Sequence, residues 1–224
     1  MDERPPGRLP WLSLRRRRLH LQRIQYPRRP RHRALRRRQP IHLPHPPPVD
    51  PALKQGFSNR IDQSNRLADT ALQHNPNDSN ALYCKAVTSG MQADWASLID
   101  RHEYGAFKYS ELASKYARQA LAVNPTLYDA NLAVGIENYM LSLKAAPIRW
   151  FLGMAGAGTN KAEGVRLLKL TAEQGHYLAP FARLMLAVGE LRDGRTQSGK
   201  QILIGLSQEF PQNTLYQRQI ARLH

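Results

Sequence analysis

Ala71-Leu-Gln-His-Asn-Pro76 recurs as Ala120-Leu-Ala-Val-Asn-Pro125, and more loosely as Leu206-Ser-Gln-Glu-Phe-Pro211. Three and seven residues ahead of each copy stand small or apolar residues: Ala68 and Ser64, Ala117 and Ala113, Leu203 and Gly199. Ten residues past each proline stands a small one: Ala86, Gly135 and Ala221. Small side chains let two helices approach closely, and a proline stops a helix and turns the chain. The recurrence therefore reads as helix, proline turn, helix. A fourth mark is Ala172, 34 residues before Leu206. There Gly175-His-Tyr-Leu-Ala-Pro180 replaces the proline turn and Ala187 takes the small position, while Lys169 stands where a small or apolar residue is expected. The other two intervals, 49 and 52 residues, require extended helices or an inserted segment.

Outward from these marks the chain reads as helix after helix. Leu112, Ala113, Tyr116, Ala117, Ala120 and Leu121 recur at three- and four-residue spacing, one stripe of an amphipathic helix. Breaks fall at Asn75–Asp78, Arg101–Gly105, Asn124–Thr126, Ala145–Thr159, Gln174–Gly175, Arg192–Arg195 and Phe210–Asn213. Between them Ser79–Leu98 and Tyr104–Val123 read as one long helix pair, and Lys144–Gly158 as an apolar, glycine-rich linker. Alternating polar and apolar runs are absent, so the fold class is all-α.

Helix pairs with an Ala-Leu ending, a proline stop and a Gly or Ala at the eighth position of the next helix resemble the tetratricopeptide repeat. The likeness goes further. Gly135-Ile-Glu-Asn-Tyr139, Ile148-Arg-Trp-Phe-Leu-Gly-Met-Ala-Gly156, Thr159-Asn-Lys-Ala-Glu-Gly164 and Phe210-Pro-Gln-Asn213 are similar to a family of bacterial tetratricopeptide proteins without assigned activity, over about residues 60–224. The resemblance implies a right-handed superhelical solenoid of antiparallel helix pairs, about four of them, over residues 52–224. It also implies an export signal and one further helix pair ahead of this part. The chain departs there, with an Arg/Pro-rich segment in their place.

That segment holds most of the charge. The whole chain has a formal net charge of +16 and a pI near 10.5. Residues 1–49 contain fourteen arginines, no lysine and two acids, so they hold +12 of it and leave +4 for the rest. Ten prolines interleave with the runs Arg15, Arg16, Arg17, Arg18 and Arg36, Arg37, Arg38. Like charges repel and prolines withhold amide donors, so residues 1–50 are expected to be a disordered tail. It reads as an arm for phosphate backbones, as a polyproline ligand or weak metal site at His42–Pro48, or as GC-rich DNA translated in a wrong frame or from too early a start. Leu9–Leu14 runs straight into Arg15–Arg18, which is not a signal peptide. The compartment stays open: exported or periplasmic by resemblance, cytoplasmic if the tail is genuine. Apolar stretches are shorter than the ~20 residues of a spanning helix, so no membrane span is expected.

Chemical motifs are sparse. Gly194-Arg-Thr-Gln-Ser-Gly-Lys-Gln201 approaches a phosphate loop but places Gln201 where Ser or Thr holds magnesium, and it follows a helix. Gly153, Gly156 and Gly158 read as a turn, Asp94, Asp100, His102 and Glu103 as a solvated helix–helix junction, and lone Cys84 as a small buried hydrophobe. His176 has no nucleophile nearby. Catalytic residues, a cofactor and a metal are therefore not expected.

The groove remains. In stacked helix pairs the first helices line a concave face, and its ligand-facing positions here include Asn80, Tyr83, Val87, Asp129, Leu132, Tyr139 and Phe181. Gly90, Ile136, Leu184, Val188 and Leu191 share those registers, and Leu132, Ile136, Leu184 and Val188 suit a core equally. Such a mix fits an extended peptide or a helix. The expected function is a non-catalytic protein- or peptide-binding scaffold. The alternative is a nucleic-acid- or anionic-surface-associated protein acting through the arginine arm, with nucleic acid a partner only if the arm is genuine.

Overall fold

The structure, a computed structural model, describes residues 49–144 and 158–223. The chain divides into two units, Met1–Pro44 and His45–His224, and every described residue lies in the second. The arginine runs, Trp150 and Phe151, and most of the apolar linker fall outside the described residues.

The two Asn-Pro phrases fold into the same turn. The Asn75 amide donates to Ala71 O at 2.8 Å, and Asn124 donates to Ala120 O at 2.8 Å, closing the last turn of the helix before. Each asparagine side-chain oxygen then accepts the amide two residues on, from Asn77 and from Thr126, both at 3.1 Å. The backbone is extended at both, near φ −139° and −131°. An Asx turn plus proline thus ends one helix and redirects the chain. Phe210 repeats the backbone bond, donating to Leu206 O at 2.9 Å, and Gly175 repeats it to Thr171 O at 2.8 Å.

Among the described residues, eight α-helices and no strand lie between these turns. They are α1 (Pro51–His74), α2 (Ser79–Asp94), α3 (Glu103–Val123), α4 (Asn131–Ser142), α5 (Lys161–Gln174), α6 (Ala179–Arg192), α7 (Thr196–Glu209) and α8 (Thr214–Ala221). Local acceptors start several of them: Asp50 caps Ala52, Asp78 caps Asn80 and Ala81, and Asn160 caps Ala162 and Glu163. The junction after α2 differs from the long helix expected to Leu98. It passes into a π turn, Trp95–Ile99, then through Arg101 at φ +53°, and α3 starts at Glu103. The break is shorter than expected because Gly105 lies inside α3, directly under the His102 ring. Trp95 stacks on Phe57 with ring centroids 4.5 Å apart.

Substantial packing runs from each helix to its neighbours in sequence. Lys85 with Asp69 and Thr88 with Asn65 pair at falling against rising numbers, so α1 and α2 are antiparallel. The α4–α5 contact is close enough to leave no room for a side chain at Gly164. A Cβ on Gly164 would lie 2.6 Å from Tyr139 N and 2.9 Å from Gly135 O, so the two backbones touch. Ala68, Ala86, Ala113, Ala117, Ala187, Gly135 and Gly199, all marked by the recurrence, are buried. Ala221 is exposed at the end of α8, whose main packing is on α7. Apolar clusters follow one another along the chain, from Leu82, Ala117 and Val134, through Leu132, Leu168 and Ala182, to Ala187, Leu203, Leu206 and Tyr216.

Candidate functional site

On α2, Tyr83, Val87, Gly90 and Asp94 follow at steps of four, three and four, so they form one stripe. That stripe faces Leu132, Ala133 and Ile136 of α4, with Leu178 and Phe181 at the start of α6 closing one side. Ala113 and Ser110 of α3 complete a groove of about 310 Å³. Gly90 keeps it open: a Cβ there would meet no atom within 4 Å.

Three carboxylates line this apolar space, and they differ in what they hold. Asp129 sits in a 3₁₀ turn, Tyr128–Ala130, just ahead of α4, and is only 4% exposed. It accepts the backbone N–H groups of His176 at 3.0 Å, Tyr177 at 3.1 Å and Leu178 at 2.9 Å. Those amides lead into α6 and end at its N-cap, Leu178, whose apolar side chain offers the first turn no acceptor. A carboxylate from the 3₁₀ turn ahead of α4 therefore fixes the entry to α6, including its N-cap amide, and Thr171 donates to Tyr128 O at 3.1 Å beside it. Glu137 is buried and accepts Ser114 Oγ at 2.7 Å and the Arg118 guanidinium. Asp94, by contrast, accepts no hydrogen bond and forms no ion pair among the described residues. It is exposed as a whole residue, yet desolvation by the groove wall pushes its carboxyl above the ordinary aspartate value. Burial, then Asp129 and Tyr177, push the Tyr83 phenol far up, as expected in an electronegative pocket.

Of the sequence-predicted site residues, Tyr83, Val87, Asp129, Leu132 and Phe181 come together around the groove, with Gly90 and Ile136. Asn80 and Tyr139 do not join them. Asn80 is exposed on the first turn of α2, its amide held by Asp78. Tyr139 is 3% exposed, with Lys161 Nζ 5.7 Å above its ring and its hydroxyl beside Gly189. Leu184 and Leu191 pack into the α6–α8 cluster, and Val188 is exposed outside the groove. Sequence reasoning places Asp94 in a solvated helix–helix junction rather than in the groove, and it passes over Glu137. The signal for Asp94 was the stripe itself, which runs on from Gly90 by four residues; Glu137 gave none, because its partners come from α3.

The remaining motifs are structural. Gly194 turns the chain at φ +81°, and a Cβ on Gly199 would lie 2.7 Å from Leu191 Cγ, so the near-phosphate-loop is a helix junction. Lys200 donates to Leu223 O at 3.3 Å. Cys84 Sγ lies 3.8 Å from Ser64 O, and burial raises its thiol. Among the described residues no three of His, Cys, Asp and Glu gather as for a metal ion, and no helix is long and apolar enough to cross a membrane.

No family model matches the chain, and no match is found among curated proteins or solved structures.

Proposed function

We propose that the helix pairs stack as a right-handed tetratricopeptide-like solenoid of about four pairs, and that the protein is a non-catalytic scaffold binding a protein or peptide on its concave face. The observation that carries this reading is the groove: α2, α4 and the start of α6 supply most of one apolar, accessible wall, with Ser110 and Ala113 of α3 completing it. Packing restricted mainly to sequence neighbours is what a repeat array produces. Two of the three lining carboxylates already hold protein groups, which suits a recognition surface better than acid–base chemistry.

The test is peptide selection by display on the full chain, with Gly90→Leu as the blocked counterpart. The leucine Cβ enters open space and its branch extends into the groove, so the variant is expected to keep its fold, checked by circular dichroism, with the groove filled. Selected peptides are expected to lose tenfold or more in affinity, about 1.4 kcal/mol, for the variant. Peptides that bind both forms equally, or none selected at all, would end this reading.

A second reading rests on the fourteen arginines of residues 1–49, which suit nucleic acid or an anionic surface. Deleting residues 1–50 separates the two. Loss of salt-sensitive nucleic-acid binding supports the arm, and unchanged peptide binding supports the groove.

A further inference from the structure

The groove wall is electrically one-sided. Its lining includes Asp94, Asp129 and Glu137 and contains no lysine, arginine or histidine. Asp129 and Glu137 are already satisfied by backbone amides, Ser114 and Arg118. Asp94 is the carboxylate left over. It stands where α2 passes into the π turn Trp95–Ile99, and no backbone amide or side-chain donor among the described residues holds its carboxylate. The groove beside it, with Val87, Met91, Ile136 and Phe181, is apolar. At about 310 Å³ it lies at the bottom of the range that encloses a small ligand, so it takes anchor side chains rather than a whole helix.

We infer that this groove selects a peptide segment carrying an apolar anchor and a nearby lysine or arginine, the anchor seated against Val87 and Phe181 and the cation on Asp94. The inference rests on the scaffold reading above and names its partner's chemistry. A long basic side chain suits the geometry because its methylene stem lies on the apolar wall while its charged end reaches the mouth. The carboxylate is already partly stripped of water, so pairing costs it little further desolvation, and the cation keeps part of its hydration at the mouth.

The experiment is fluorescence anisotropy on the full chain with labelled twelve-residue synthetic peptides. All share one Leu-Phe anchor, and a single Lys, Gln or Glu is scanned along the remaining positions. The best lysine peptide is expected to bind roughly fivefold or more tighter than its glutamine counterpart, as for a modest ion pair, and the glutamate peptide more weakly still. In Asp94→Asn that preference shrinks to less than about twofold, and in Gly90→Leu all the peptides weaken together. Equal binding of Lys, Gln and Glu peptides to the natural chain overturns the selectivity and leaves the scaffold reading standing. A lysine preference that persists in Asp94→Asn overturns the assignment to Asp94. Absence of binding by every peptide overturns both. Circular dichroism and thermal melting of each variant separate a folding defect from a lost contact. Should Asp94→Asn melt early, Asp94→Glu, which keeps the charge, is expected to keep the preference, and its loss there counts against the inference.

Discussion

Removing the Asp129 carboxylate strands three backbone amides, those of His176, Tyr177 and Leu178, in a turn with no other acceptor among the described hydrogen bonds. Charge-assisted bonds of this kind are among the stronger ones, and orphaned amides are costly. Asp129→Ala is expected to lose about 2–4 kcal/mol in urea denaturation; a loss below 1 kcal/mol would show that the cap matters little. The glycines give a sharper contrast. Gly164→Ala forces a methyl to 2.6 Å from Tyr139 N, and backbone cannot step aside. It should cost roughly 1–3 kcal/mol as overpacking. Gly90→Ala adds a methyl to open space in a helix and should stabilise by about 0.5–1 kcal/mol. Equal denaturation midpoints for the two alanine variants would contradict both contact patterns. Asp94 predicts a pH effect. Its folded carboxyl titrates above the unfolded value near 3.9, so the folded state holds the proton more tightly. The associated stability is therefore full below the unfolded value and is lost as pH rises through the raised folded value. Glu137, Asp129 and Tyr83 share the groove, so the comparison is made against Asp94→Asn, which should lack that decline in melting temperature.

Helix ends were legible wherever the capping group was local. Asn75, Asn124, Asp78 and Asn160 each lie within a few residues of the amides they accept. Asp78→Ala should cost about 1 kcal/mol as a lost N-cap. Asn124→Ala removes an Asx-turn acceptor and should cost about 0.5–1.5 kcal/mol, and the two should add because the sites share no partner. A double-variant midpoint differing from the sum would show coupling through α2 and α3. Two elements were not legible. The α6 N-terminus borrows its acceptor from 49 residues upstream, at Asp129, and nothing in the local phrase Gly175–Pro180 announces that. The π turn at Trp95–Ile99 depends on i→i+5 bonding, Asp100 N to Trp95 O at 3.1 Å, which leaves no periodicity mark in five residues.

Packing passed from neighbour to neighbour distributes stability unevenly among the helices. α4 and α5 meet backbone to backbone and each has packing partners on both sides, whereas α1 packs mainly on α2 and α8 on α7. Native-state hydrogen exchange should therefore show the slowest amides in α4 and α5, and opening of α1 and α8 at lower free energy. Uniform protection would mean one global unfolding unit. The all-helical class, the turns at Asn75 and Asn124 and most of the small residues at helix contacts were readable in advance, because each depends on local backbone chemistry or a repeated spacing. Five of the seven proposed groove positions lie together because a helical stripe is also a local property. Asn80 and Tyr139 obey the same spacing yet sit elsewhere, one exposed on a first turn and one buried beneath Lys161. The division of labour among Asp94, Asp129 and Glu137, and the opposite roles of Gly90 and Gly164, arise from contacts between helices far apart in sequence. Identical residue types then acquire opposite energetics, because a carboxylate or a missing methyl takes its meaning from what the neighbouring helix brings within three ångströms.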